Sequence, residues 1–140
     1  ALEWGPTFEV SRVLDYARLV PATSTYADVG AVARPTTGLR LSTTFVLQTF
    51  QPDGLPRETA TRTRANVAWQ LTRTLGLRTI GELTQGTDRA PTSIGSVLLT
   101  WLVHPGTAAW IGYAETTTLG VRPFANDRTV FAKVTVLARP

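Results

Sequence analysis

The sequence predicts an all-β fold in which eight antiparallel strands follow one another up and down. Threonine is the most frequent residue type, with 24 copies among 140 residues, and β-branched residues favour strands. Eight segments alternate between apolar and polar side chains with a period of two residues. Eleven glycines and nine prolines supply residues for the turns between them. With 43% hydrophobic residues, the chain is apolar enough to fold, and we expect one domain over residues 1–140.

The clearest strand covers residues 38–50, where the sequence GLRLSTTFVLQTF alternates throughout. Leu41 and Phe45 fall on one face, while Arg40 falls on the other. The remaining segments follow the same rule, although Arg12 interrupts the apolar face of the first. In chain order, the predicted strands cover residues 8–18, 25–34, 38–50, 64–74, 77–84, 96–103, 107–116 and 128–138.

The predicted connections alternate between long and short. The long ones cover residues 20–24, 51–58, 85–92 and 117–127, and the short ones cover 35–38, 75–76 and 104–106. We expect glycine to provide the positive φ angle in each short turn. In an up-and-down sheet, this alternation places all short turns and both chain termini on one rim, and all long loops on the other. Bacterial outer-membrane barrels have this arrangement, together with an even number of strands.

The sequence therefore predicts an eight-stranded transmembrane β-barrel, which would be closed so that lipid meets no unpaired strand edge. One face would meet lipid and carry aromatic girdles at the membrane surface. We assign to it Phe45, Trp69, Val97, Trp101, Trp110 and Val134. The other face would fill the barrel with paired charges. We assign to it Arg40, Arg64, Arg78, Glu82, Glu115 and Lys133.

Alternation alone leaves the orientation of the two faces open. In a soluble barrel, the apolar face would instead line a cavity for a small apolar ligand, and the arginines and threonines would meet water. Small or β-branched residues at mid-strand, the tryptophans on the apolar face and the regular alternation of connections favour lipid on the outside. We keep the soluble ligand-binding barrel as the alternative.

Three stretches of the second half resemble the final strands of large bacterial outer-membrane proteins, in which an N-terminal carbohydrate-binding-like module precedes a C-terminal β-barrel. They are RANVAWQLTRTLGLRTIGELTQGTDR, SVLLTWLVHPGTAAWIGYAET and RTVFAKVTVLAR. The resemblance covers roughly the last 80 residues and implies an outer-membrane barrel without an assigned active residue. These 140 residues include no such N-terminal module, and the last of them is Pro140, where an aromatic residue is usual in that family.

Composition disfavours several other classes. The net charge is +4 with a pI near 10.3, but the 13 arginines are scattered, so we expect no nucleic-acid partner. No apolar run reaches the 18 residues of a membrane-spanning helix. The absence of cysteine excludes disulfides and thiolate metal sites. Because the chain begins with Ala1 and no leader precedes it, we expect a processed or trimmed product.

Few residues offer chemistry. His104 is the only histidine and lies in a His-Pro-Gly turn, so neither a catalytic triad nor a metal site is expected, and we expect no cofactor. Glu82 and Glu115 are the best candidates for a carboxylate pair, although each is expected to pair with an interior arginine. We expect an outer-membrane protein with a structural, adaptor or surface-interaction role and no enzymatic activity. Its expected partners are lipid, lipopolysaccharide and a protein that meets the outer loops. Four loop arginines are candidates for lipopolysaccharide phosphates, namely Arg57, Arg62, Arg89 and Arg122.

Overall fold

The computed structural model describes residues 1–87, 89–104, 107–120 and 126–136, with the side chain of His104 outside this description. Eight strands form one antiparallel sheet in which each strand pairs with its neighbours in the chain, so the predicted up-and-down topology is confirmed. The strands are β1 (Leu2–Asp15), β2 (Val20–Thr36), β3 (Leu39–Pro52), β4 (Glu58–Gln70), β5 (Leu75–Gly86), β6 (Arg89–His104), β7 (Thr107–Thr118) and β8 (Asn126–Val136). Among the described residues, no helix is long and apolar enough to cross a membrane.

All strands except β1 extend further toward one rim than the sequence predicts, whereas β1 begins at Leu2 instead of Phe8 and ends at Asp15 instead of Arg18. We call the rim where β1 begins the N-terminal rim, and the other the opposite rim. Toward the opposite rim, β2 begins at Val20 and β6 at Arg89, so two segments expected to be connections are strands. Their threonines and serines suit a pleated ladder as well as a loop. Only residues 87–88 join β5 to β6, so the predicted strict alternation of long and short links is wrong there.

The turn between β4 and β5 lies at residues 71–74, just before the predicted position at 75–76. A threonine holds it, because the side-chain oxygen of Thr72 accepts hydrogen bonds from the backbone N–H groups of Thr74, at 3.2 Å, and Leu75, at 3.0 Å. Hydroxyl side chains form such local turns without glycine. Gly76 therefore belongs to the strand and not to the turn.

Glycine does not supply positive φ in the described short turns. Among the described residues, positive φ occurs at Leu19, Gly54 and Gly120. Gly38 serves a different purpose, because a Cβ atom there would lie 2.9 Å from the carbonyl oxygen of Gln70. The backbone N–H of Gln70 donates to the carbonyl of Gly38 at 2.7 Å, so the two strands meet closely at this turn.

Directly paired residues share a face of a sheet, so the register divides the molecule into two faces. One continuous row on the first face runs through Leu2, Ala33, Leu41, Val67, Thr79, Val97, Tyr113 and Val130. The adjacent row, on the second face, runs through Glu3, Val32, Ser42, Asn66, Ile80, Ser96, Ala114 and Thr129. We call these the apolar face and the polar face.

Burial indicates that the sheet curves toward the polar face. All buried residues of the described chain lie there, and they are Asp15, Ala22, Val46, Pro52, Ala108 and Gly112. Large side chains of the apolar face stay exposed, such as Trp4 at 72% and Trp101 at 53%. Since a single curved sheet covers the side chains on its inner side, the polar face is concave and the apolar face is convex.

The curved sheet is open and forms a single layer. Within the described strands, no pairing joins β1 to β8. The accessible surface is 10175 Å², whereas a compact monomer of 15.2 kDa exposes about 7,000 Å². The all-β, antiparallel part of the predicted fold is thus confirmed, while the closure of the barrel is not seen in the described residues.

The strands are progressively staggered. Leu2, the first residue of β1, lies in the same row as Val130, in the middle of β8. From this row β1 continues to Asp15, whereas β8 reaches only Asn126 in the same direction and continues to Val136 in the other. The displacement averages about one residue per strand, which corresponds to a strand tilt of about 36° in an eight-stranded barrel.

Candidate functional site

Five of the six residues assigned to lipid share the apolar face. Trp69 pairs with Leu39 and Leu77, and Trp101 pairs with Leu75 and Ala109, so each tryptophan lies among apolar neighbours. Trp69 and Trp101 are both exposed. The remaining three residues, Phe45, Val97 and Val134, are also exposed on this face. That this face meets lipid stays a prediction.

Trp110, the sixth residue, lies on the polar face, so its assignment to the same face as Trp69 and Trp101 is wrong. It pairs with Thr100 on β6 and with Lys133 on β8. The ammonium group of Lys133 lies 5.8 Å from the centre of the Trp110 ring, within the range of a cation–π interaction. An indole has both an apolar ring and a polar N–H, so it suits either face.

Four of the charged residues assigned to the barrel interior lie on the polar face, on the central strands β3 to β5. Arg64 and Glu82 pair directly across β4 and β5, and their charged groups lie 3.9 Å apart. Arg78 donates to the side-chain oxygen of Asn66 at 3.4 Å. Arg40 lies in the same row as Arg78, with Ala68 between them. Lys133 lies on this face too, on β8.

Glu115 lies on the apolar face, which differs from the sequence-based assignment. Its carboxylate accepts hydrogen bonds from the hydroxyl of Tyr113 at 2.6 Å and from Arg128 at 3.1 Å. Arg128 pairs with Glu115 across β7 and β8. Because Glu82 and Glu115 lie on opposite faces, they do not form a carboxylate pair.

At the opposite rim, an ion-pair network joins β1, its turn and β4. Asp15 is 7% exposed and accepts hydrogen bonds from the backbone N–H groups of Ala17 and Arg18 and from the Arg18 guanidinium at 3.0 Å. Arg18 also donates to Glu58 at 3.1 Å. Burial alone would raise the pKa of Asp15, but the hydrogen bonds from Arg18 and Ala17 outweigh it and lower the pKa. The sequence gives one signal for this turn, an Asp three residues before an Arg.

Two concavities open on the sheet. One, of about 400 Å³, lies at the opposite rim and is lined by residues such as Phe50, Glu58 and Arg89. The other, of about 550 Å³, lies at the N-terminal rim. Its lining includes Arg34, Arg40 and Arg78. Sequence analysis did not single out Arg34, although the predicted turn at residues 35–38 already brings it near Arg40.

Two of the four arginines expected in outer loops lie in strands instead. Arg62 and Arg89 lie in strands on the polar face. Arg57 lies in the link between β3 and β4 and donates to Gln51 at 3.3 Å. Arg122 and the side chain of His104 lie outside the described residues. Of the four arginines expected to form a loop site for lipopolysaccharide, only Arg57 lies in a link among the described residues.

In the part of the chain that the structure describes, no group of three or more His, Cys, Asp or Glu residues is arranged to hold a metal ion. Comparisons with protein-family models, with curated proteins and with solved structures find no match for the chain. The resemblance to large outer-membrane proteins stays a prediction, and the geometry of the two faces is the basis for a functional proposal.

Proposed function

We propose that the chain forms the wall of a β-barrel in the bacterial outer membrane, with a structural, adaptor or surface-interaction role and no chemistry of its own. In this proposal the apolar face meets lipid and the polar face lines the barrel interior. Loops at the opposite rim, such as residues 53–57, would meet lipopolysaccharide or a protein partner. The barrel would close by pairing of β1 with β8.

The observation that carries this proposal is the distribution of burial between the two faces, which gives the direction of curvature. The sheet bends toward the face that carries most of its charged side chains, and it leaves Trp4, Trp69 and Trp101 exposed on its convex side. A soluble barrel that binds an apolar ligand needs the reverse curvature, with its large apolar residues inside. The stagger of the strands also supports a barrel, since outer-membrane strands tilt by about 35–45°.

Gel electrophoresis of the folded protein tests the membrane proposal. We expect the protein to require detergent or lipid vesicles to refold, and to migrate differently when it is loaded without heating, as intact membrane barrels do. Monodisperse protein in plain buffer, with the same migration before and after heating, would instead favour the soluble ligand-binding barrel.

Cysteine cross-linking tests closure, and the cysteine-free chain is a clean background for it. Continuing the observed stagger past β8 brings Ser11 of β1 opposite Thr129 of β8, with both on the polar face. We expect the pair Ser11→Cys and Thr129→Cys to form a disulfide in the refolded protein. Ser11→Cys with Ser24→Cys is the positive control, because these residues are paired in the sheet. Ser24→Cys with Thr129→Cys is the negative control.

Failure of only the Ser11–Thr129 pair to cross-link would count against closure at this stagger. Moving the second cysteine to Phe131 tests the neighbouring register, displaced by two residues. If neither pair forms while Ser11 and Ser24 cross-link fully, β1 does not pair with β8 in a single chain, and the eight-stranded barrel is wrong.

A further inference from the structure

We propose that the concavity at the N-terminal rim of the polar face binds a doubly charged oxyanion, namely phosphate or a phosphate monoester. The site is defined by Arg40 and Arg78, which lie in one row of the sheet with Ala68 between them. All three residues line the 550 Å³ concavity. Nothing in this inference depends on whether the convex face meets lipid.

The spacing of the two arginines suits a ligand held between them. They lie on strands two apart, so their Cα atoms are separated by about 10 Å. Ala68 has a small side chain and leaves the floor between them open. Guanidinium groups present several N–H donors in a planar fork, which matches the oxygens of a phosphate group.

The charge of the concavity is unbalanced. Its described lining residues include Arg34, Arg40 and Arg78 but no Asp or Glu. Arg34 forms an ion pair with Glu3, whereas the side chain of Arg78 bonds only the neutral amide of Asn66 among the described residues. Several arginines elsewhere on this chain face carboxylates, such as Arg64 opposite Glu82 and Arg18 beside Asp15. Two neighbouring cations without acids repel each other, and an anion between them relieves that repulsion.

The floor adds polar groups next to the arginines. Thr100 and Gln70 line the concavity in the adjacent polar-face row, where Gly76 leaves space between them. The Gln70 amide nitrogen already donates to backbone carbonyls of Thr72 and Leu75, which fixes its side chain at the edge of the site. The hydroxyl of Thr100 is a further possible donor to an oxyanion.

Phosphate titration of the whole protein, folded in plain buffer or in micelles of an uncharged detergent, tests the site. We expect isothermal titration calorimetry with inorganic phosphate to detect binding that weakens at least tenfold in the double variant Arg40→Gln, Arg78→Gln. Arg89→Gln is the matched control, since Arg89 is an arginine of the same face near the opposite rim. The variant Arg40→Lys, Arg78→Lys keeps the charge but loses the fork, and we expect an intermediate affinity.

Three outcomes would overturn the site. They are no phosphate binding by the unchanged protein, equal binding by the unchanged protein and the double glutamine variant, and equal weakening by Arg89→Gln, which would indicate a diffuse charge effect. Far-UV circular dichroism of each variant separates loss of fold from loss of binding, and the lysine variant provides a second test if the glutamine variant fails to fold.

A second arm separates free phosphate esters from lipid headgroups. Vesicles of phosphatidylglycerol and of phosphatidylcholine are compared for the unchanged protein and the double glutamine variant. We expect the substitutions to leave vesicle binding unchanged, because the concavity opens on the concave face. Weakened binding to phosphatidylglycerol alone would overturn the assignment to soluble phosphate and assign the arginines to a lipid headgroup. Failure of the membrane proposal would appear separately, as the absence of heat-dependent migration.

Discussion

The two faces of the sheet share one backbone but differ in what covers their side chains. On the concave face, small residues such as Ala22 and Ala108 are buried and charges lie near one another. On the convex face, Trp4, Phe8 and Val130 remain at least 70% exposed. A soluble monomer rarely leaves such large apolar side chains in contiguous rows without a partner. The large apolar side chains of the convex face are not buried by the sheet itself, so they can stabilise the fold only if something outside the sheet covers them.

Placing a charge on each face in turn is the most sensitive test of the difference between the two faces. Val97 of the apolar face and Ser96 of the polar face are neighbours in the middle of β6. We expect Val97→Arg to reduce the free energy of unfolding in lipid vesicles by about 2–4 kcal/mol, the cost of an arginine at the bilayer midplane. Urea titration followed by unheated gel migration measures it.

Ser96→Arg is the matched control, because the same side chain then enters the concave, polar side. We expect its urea midpoint to stay near that of the unchanged protein. Equal losses of unfolding free energy in the two variants would contradict the assignment of the convex face to lipid. A larger loss for Ser96→Arg would indicate that the polar face meets lipid instead.

Tryptophan fluorescence sharpens the comparison without adding a charge. We expect brominated lipids to quench variants that retain only Trp69 or only Trp101 strongly, because these indoles lie on the convex face. A variant that retains only Trp110 should be quenched weakly by lipid and more strongly by aqueous acrylamide. Strong lipid quenching of Trp110 would contradict the observed register of β7.

A smaller effect is expected from acid, at the rim network. Since the pKa of Asp15 is lowered in the folded chain, its contribution to stability is present above the ordinary aspartate pKa of about 3.9 and is lost as the pH falls through the folded value. We expect the difference in urea midpoint between the unchanged protein and Asp15→Asn to shrink below about pH 4.

Asp53→Asn is the control for the rim network. Asp53 pairs with Arg12 at 3.2 Å, but both side chains are more than half exposed, so this ion pair contributes little. A midpoint difference for Asp15→Asn that stays constant from pH 7 to pH 3 would show that the Asp15 carboxylate does not stabilise the turn by its charge.

The smallest effect concerns the packing of β7 against β8. The ring of Phe131 covers Gly112 so closely that an added Cβ would overlap it. We expect Gly112→Ala to displace the ring and reduce stability by about 1 kcal/mol, measured by urea titration. Gly95→Ala is the control, since a Cβ there meets no atom within 4 Å. Equal stability of the two variants would indicate that the ring does not pack on Gly112 in solution.

The sequence predicts the strands and their order well, because alternation is explicit wherever large apolar and charged residues take turns. Residues 38–50 illustrate this, with Leu41 and Phe45 opposite Arg40. The assignment fails in β7, where Ala108, Gly112 and Ala114 carry little facial preference and Trp110 outweighs them. Ile111, which pairs with Leu99 and Ala132, determines which face of that strand is apolar.

The ends of the strands and the candidate site were beyond sequence reasoning for a related reason. Residues 89–92 read as a loop because arginine, alanine, proline and threonine follow one another, yet pairing to neighbouring strands makes them part of β6. Arg34 and Arg40 flank one hairpin, but Arg78 is far from both in the chain, and only the register of β3 to β5 brings it to their concavity. Such placements depend on long-range pairing, which a local pattern does not contain.

Pairing of each strand only with its chain neighbours also bears on how the sheet assembles. Apart from closure, every ladder links segments joined by a short connection, so the entropy lost in bringing two strands together is small at each step. Folding can therefore begin at any hairpin and proceed outward by addition of one strand at a time. In the proposed closed barrel, only the seam between the first and last strands requires the chain ends to meet, and we expect that step to limit the folding rate.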